Sequence, residues 1–217
     1  MQVCISHVGR EGDGLATIDG QRVAVPFALP DEVIDVALHP QQQVAVVERI
    51  ITASPARVTP PCPYFGVCGN CRMQHAKEDF YVAWKKNLIE LALQKNGIEK
   101  KVDDFFITPY ASRRRTRWVV EKKEGSFYFG YHTWRSHDMV DIQTCHVLDK
   151  NLAGFIAPLR ALFAQLLEDG QKISIHATSL NGQVELVLTG APLLPQQTEA
   201  LCKWGEGQPK LARLLWQ

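Results

Sequence analysis

The chain has 217 residues, 46% of them hydrophobic and 22% charged, with 24 lysines and arginines against 23 aspartates and glutamates for a net charge of +1. That length suits two modest domains, each burying a core, and the balanced charge excludes a wholly basic nucleic-acid binder, so any cationic surface must be local. No apolar run reaches the roughly 18 residues of a membrane span. "MQVCISHVGREGDG" has no basic stretch followed by an apolar core, so the expectation is no signal peptide, no membrane partner and a cytoplasmic location.

Residues 1 to about 52 read as short β segments: "VCISHV", "LATI", "QRVAVPF", "VIDVAL" and, after His39-Pro40, "QQVAVVERII". Asp19-Gly20 between two of them is a hairpin signal, because a tight primed turn needs positive φ. Several short strands with regular turns predict a small barrel. "TASPARVTPPCP" is rich in proline and predicts a linker. "AKEDFYVAWKKNLIELALQKNG" predicts a helix, with Trp84, Leu88 and Leu91 at i, i+4 and i+7 and Asn96-Gly97 as its stop. Three strands follow, "RRRTRWVVE", "SFYFGYHTWR" and "HDMVDIQTCHVL", turning at Lys123 to Gly125 and near Arg135. A helix from about Asn151 to Glu168, a hairpin turning at Asn181-Gly182, a short helix from Gln196 to Trp204 and an apolar strand "KLARLLWQ" complete the chain. An apolar strand at a terminus is unusual where a chain leaves a finished fold, so the expectation is a protein that continues. The fold class expected is mainly β with helices (α+β).

"PCPYFGVCGNCRMQH" places Cys62, Cys68 and Cys71 within ten positions of a chain with six cysteines. In a reducing cytosol such a cluster points to metal or redox ligands rather than disulfides. The C-x5-C-x2-C spacing, with Cys145 in "DIQTCHVL" as the natural fourth, favours an iron–sulfur cluster over zinc, which usually takes paired C-x2-C knuckles. Zinc, and simple burial of apolar thiols, stay open as alternatives. Gly66 and Gly69 are expected to let backbone amides approach the sulfurs. Cys4 and Cys202, isolated among apolar residues, are expected in the core.

"SRRRTRW" carries Arg113, Arg114, Arg115 and Arg117. On a strand, Arg113, Arg115 and Arg117 share one face, and Arg114 lies opposite with Thr116 and Trp118. Between Arg113 and Arg135 there are seven lysines and arginines against two glutamates, with Tyr131 and Trp134 among the interleaved aromatics. Cations with aromatic rings hold single-stranded RNA, guanidinium groups taking phosphates and rings stacking on unpaired bases. The alternative is a solvated edge strand whose charge blocks aggregation. Asp138 and Asp141 are candidate partners that would neutralise the run.

These stretches resemble the RNA uracil-5-methyltransferase family, enzymes that use S-adenosylmethionine to make 5-methyluridine in ribosomal and transfer RNA. The resemblance rests on "CPYFGVCGNCRMQH", "RRRTRW" and "GYHTWRSHDMVDIQTCHVL", and "GREGDGLATIDGQRVAVPFALPDEVI" is similar to a TRAM domain, an OB-like RNA-binding barrel. It implies a TRAM barrel over residues 1–54, a cysteine-rich linker and cluster loop over 55–76, a helix over 77–104 that would pack on a methyltransferase domain, and an antiparallel-sheet iron–sulfur and RNA-binding domain over 105–217. Cys62, Cys68, Cys71 and Cys145 would correspond to the ligands of a [4Fe–4S] cluster, and Arg113, Arg114, Arg115, Arg117, Tyr131, Trp134 and Arg135 to RNA-contacting residues. The partners implied are rRNA or tRNA with an unpaired uridine, and the methyltransferase domain in cis or trans, on a monomer.

The family's S-adenosylmethionine pocket and nucleophilic cysteine lie on a further Rossmann-like domain, where a thiolate adds to uracil C6 before C5 takes the methyl group. No glycine-rich strand-to-helix loop and no cysteine in a nucleophile position matches that domain here, so the chain alone is expected to bind RNA without methylating it. With that domain absent, the Trp84, Leu88 and Leu91 face of the helix is expected to be an exposed apolar patch. Other classes that the cysteine spacing allows are an iron–sulfur electron-transfer or redox-sensing module and a zinc-stabilised RNA-binding module.

Overall fold

A computed structural model describes residues 1–38, 44–190 and 192–217. It divides into two compact units, one made of Met1–Gly66 with Cys71–Ile107 and the other of Val67–Asn70 with Thr108–Gln217. The expected break at His39-Pro40 and the start of the strand that follows lie outside the described residues.

In the first unit the strands are β1 (Gln2–Cys4), β2 (His7–Val8), β3 (Gly14–Ile18), β4 (Gln21–Val25), β5 (Val33–Leu38) and β6 (Ala45–Thr52). Asp19 and Gly20 both take positive φ, 49° and 77°, which gives the primed turn that matches strand twist and fixes the β3–β4 register at Ile18↔Gln21. Alternation then sends Ala16, Ile18, Val23 and Val25 inward, where they meet Val3, Ile5, Ile34 and Val36 in one core.

No closed barrel forms among the described residues. The strands make two three-stranded sheets, β1-β5-β6 and β2-β3-β4. Between β4 and β5 the chain leaves the ladder through Phe27 and Asp31, both at positive φ (60° and 66°). Among the described residues one parallel bridge, Ala24↔Val44, joins β4 to the residue just before β6.

The linker is fastened to these sheets by a buried ion pair. Glu32 is fully buried and accepts from Arg57 Nε and, at 2.8 Å, from Arg57 Nη2, while its oxygens also take the amides of Leu29 and Ser54. Burial pushes the Glu32 carboxyl up. The hydrogen bonds from Arg57, Leu29 and Ser54, with the Arg57 charge, outweigh that and hold it below the ordinary carboxylate value. Helix α1 (Glu78–Gln94) ends as expected, with Gly97 at φ 74° and Ile98 N–H returning to the Leu93 carbonyl. None of its residues is buried, and Ile89 and Leu91 are exposed.

The second unit contains β7 (Arg115–Lys123), β8 (Ser126–His132), β9 (Met139–Asp141), α2 (Lys150–Leu166), β10 (Lys172–Leu180), β11 (Gln183–Gly190), α3 (Pro195–Glu206) and β12 (Leu211–Trp216). They form one six-stranded sheet in the order β12-β11-β10-β7-β8-β9. Glu124-Gly125 and Asn181-Gly182 supply positive-φ hairpin turns. Asp149 caps α2 by accepting the Leu152 amide at 2.9 Å.

Strand β10 alternates cleanly: Ile173, Ile175, Ala177 and Ser179 are buried, and Asn151 of α2 donates to Ser179 Oγ at 3.3 Å, which puts α2 on that face. Trp118 and Phe129 pack beneath it with ring centroids 5.5 Å apart. The sheet is not wholly antiparallel as expected, because α3 serves as a crossover that returns β12 parallel to β11. The third expected strand is also shorter, since pairing stops at Asp141 and "IQTCHVL" runs as irregular chain. Among the described residues no helix is long and apolar enough to cross a membrane.

Candidate nucleic-acid interface and cysteine loop

Arg115 and Arg117 stand on β7, and Arg113 is tied just before it by a bridge to Leu148. All four arginines of the run, Arg114 included, are exposed, while Thr116 is half-buried and Trp118 fully buried. Four cations in five positions repel unless an anion offsets them. The two carboxylates expected to do so are engaged elsewhere. Asp141 is gripped by Arg160, whose Nη2 lies 2.9 Å from its Oδ2, and Asp138 accepts from Ser136 Oγ at 2.8 Å. Among the described residues no carboxylate pairs with Arg113, Arg114, Arg115 or Arg117.

The aromatic candidates separate. Arg135 lies over the half-buried Trp134 ring at 4.3 Å, a guanidinium–indole stack at the turn after β8. Tyr131 is only 6% exposed and its hydroxyl shares a 2.7 Å hydrogen bond with Thr116 Oγ1. Burial, with the neighbouring Cys145 thiol, pushes its phenol far above the ordinary value. Its ring therefore buttresses the sheet and offers no face to a base, contrary to expectation. The miss has a simple cause: alternation along β8 places Tyr131 on the same face as Phe129, which is fully buried.

None of the six cysteines is in a disulfide. Cys62, Cys71 and Cys145 are half-buried and Cys68 is buried, whereas Cys4 and Cys202 are exposed. That corrects the expectation of core positions for the latter two; Cys4 sits on the outward row of β1, beside the inward Val3. By unit, Cys62 and Cys71 belong to the first and Cys68 and Cys145 to the second.

Cys68 is held by an antiparallel bridge to Thr133, with Gly69 N–H donating to the His132 carbonyl at 3.0 Å. A Cβ on Gly69 would stand 3.1 Å from that carbonyl, so this glycine serves the loop's approach to β8. Its own amide is thereby spent on the His132 carbonyl. Four free thiols, one buried and three half-buried, are the donor type an iron–sulfur cluster takes. Among the described residues no three histidine, cysteine, aspartate or glutamate side chains are gathered into a metal-holding group.

At the end of the loop lies a residue not singled out from the sequence. His75 is fully buried beside Phe65 and Phe27, with ring centroids 5.3 and 6.4 Å away, and neither ring nitrogen has a hydrogen-bond partner. Burial and the Arg57 charge, opposed by Glu32, lower its pKa from 6.5 to about 4, so it is neutral at physiological pH.

What the fold and surface define is an α+β protein in two units, with an uncompensated arginine row at one end of a sheet and a thiol-rich loop. Over most of its length the chain is similar to RNA methyltransferases. It is 35% identical over 202 residues to 23S rRNA (uracil(1939)-C(5))-methyltransferase RlmD of Pectobacterium atrosepticum, covering 89% of this chain and 43% of that protein. It is 34% identical to an uncharacterized RNA methyltransferase of Caulobacter vibrioides, covering 86% and 45%, and 28% identical to one of Rhizobium meliloti, covering 98% and 52%. The chain thus spans about half the length of the curated relatives it matches. No family profile matches it.

Proposed function

We propose that these 217 residues are the RNA-recognition part of an S-adenosylmethionine-dependent RNA (uracil-5-)methyltransferase acting on rRNA. The observation that carries this reading is the row Arg113, Arg114, Arg115 and Arg117, exposed and without a carboxylate partner among the described residues, in a chain similar to proteins named for RNA methylation. Guanidinium groups so placed take phosphate oxygens and release counterions. The Trp134–Arg135 stack, at the turn after β8 in the same unit, offers a planar surface for an unpaired base.

The first unit, with its small strands, is the TRAM-like RNA-binding unit. Cys62, Cys68, Cys71 and Cys145 would hold a [4Fe–4S] cluster, which would organise the RNA-binding unit rather than take part in methyl transfer, a reaction that moves no net electrons. Methyl transfer itself is assigned to sequence that the longer relatives possess beyond the matched half.

The test is binding of a uridine-containing 23S rRNA fragment by anaerobically purified protein, with iron and zinc measured on the same sample. The reading expects RNA binding, no methylation when S-adenosylmethionine is added, and iron in the protein that is lost in Cys145→Ser. Zinc in place of iron would favour a zinc-stabilised module, and absence of RNA binding would overturn the assignment.

A further inference from the structure

The second unit's sheet has two unlike faces. On the inner face, β10 buries Ile173, Ile175 and Ala177 under α2; on the other it presents Ser174, His176 and Thr178, of which His176 is exposed. Register decides what this row meets. His176 is paired directly with Arg117, and Thr178 with Arg115. Residues opposed in this way point to the same side, with Cβ atoms about 5 Å apart. Arg117 also reaches diagonally to donate to Ser174 Oγ at 3.0 Å, which fixes its guanidinium over β10.

The carboxylates on this face are already committed. Glu121 pairs with Lys172 at 3.4 Å, and Glu185 accepts from Arg213 Nε at 2.7 Å. The surplus cations are therefore concentrated at the end of the sheet where Arg115, Arg117 and His176 meet. The next residue along the β7 row, Val119, is only 4% exposed, which limits the open area to that end.

We propose that single-stranded RNA crosses the strands here, with its phosphates on Arg115 and Arg117 and an adjacent base stacked on the His176 imidazole. This rests on the RNA reading above and extends it to β10, a strand to which that reading assigns nothing. The argument for nucleic acid is charge complementarity: Arg117, held over β10, and the exposed Arg115, neither with a carboxylate partner among the described residues, call for a polyanion. A flat ring on the neighbouring strand, one residue pair away, is the companion that a phosphate-bound nucleotide uses for its base. A base stacks by its π-face, so the site is tolerant of sequence.

The experiment is fluorescence anisotropy with a labelled 12-nucleotide oligouridine, comparing the wild-type chain with His176→Ala, His176→Phe and the double variant Arg115→Ala/Arg117→Ala. A 4-thiouridine version of the oligonucleotide maps the crosslinked peptide. His176 is exposed, so its variants are expected to fold, which circular dichroism checks. The inference expects His176→Ala to weaken binding about five- to tenfold, near the low end of what one stacked base contributes, His176→Phe to restore it, and the crosslink to fall in residues 172–180.

Weakening by the arginine variant with none by His176→Ala, and a crosslink elsewhere, overturns the β10 site and leaves the RNA reading standing. Weakening by His176→Ala without rescue by phenylalanine overturns the stacking role. An arginine variant that binds like wild type, or a wild-type chain that does not bind, overturns the RNA reading and this inference together.

Discussion

Acidification should destabilise the first unit through His75. Its imidazole titrates at 6.5 when solvated and at about 4 in the folded protein. Between those values the unfolded chain binds a proton that the folded chain refuses, so stability falls as pH is lowered through that window. Integrated from pH 7 to pH 5, this amounts to about 2 kcal/mol, roughly half of the full effect, the remainder falling below pH 5 as the folded group itself begins to titrate.

Since neither ring nitrogen is hydrogen-bonded, an apolar replacement forfeits no bond. His75→Leu should therefore be nearly neutral or stabilising at pH 7 and should remove most of the loss at pH 5. Hydrogen exchange in a urea series, followed in peptides from β3 and β5, reads the stability of this unit separately from the other. An equal loss at pH 5 in the wild type and the leucine variant would refute the titration argument. A leucine variant several kcal/mol less stable at pH 7 would show that the imidazole has a partner after all.

Two further outcomes follow from close contacts. Glu32→Gln should destabilise the first unit by about 3 kcal/mol, as removal of one partner from a buried ion pair does, and a change below about 1 kcal/mol in the same exchange assay would contradict it. Because the Glu32 carboxyl is held below its ordinary value of 4.5, its contribution is complete above that pH and is lost as pH falls through the lower folded value. In the second unit, a Cβ on Gly130 would stand 2.2 Å from the Val140 carbonyl oxygen. Gly130→Ala should accordingly break the β8–β9 pairing and lower the melting temperature by several degrees, and an unchanged melting curve would count against the register given for those strands.

The parts of the fold legible in the sequence were those with local causes. Asp19-Gly20 and Asn181-Gly182 announce primed turns because few other pairs tolerate two positive φ values, and Gly97 alone, at φ 74°, closes α1 because glycine takes the left-handed conformation without strain. What depends on distant pairing was not legible. The crossover that sets β12 parallel to β11 leaves no mark in "KLARLLWQ", and that Asp141, the last residue of β9, is held by Arg160 of α2 is known only from the fold.

The candidate site divides along the same line. Exposure of the arginines follows from their charge, but that Asp138 and Asp141 are occupied elsewhere is a tertiary fact. His75 escaped notice because a histidine beside a cysteine motif carries no sign of its burial; the nearest signal is its place among Phe27, Phe65 and the Glu32–Arg57 pair, which only folding assembles.

The central claim is that the arginine row binds RNA through phosphate contacts, and the salt dependence of binding tests it most directly. For a single strand, the slope of log K against log salt is about 0.7 per phosphate neutralised, so Arg113→Ala/Arg115→Ala/Arg117→Ala should flatten the slope by about two units relative to wild type. A triple variant that binds the same rRNA fragment with an unchanged slope would contradict the account.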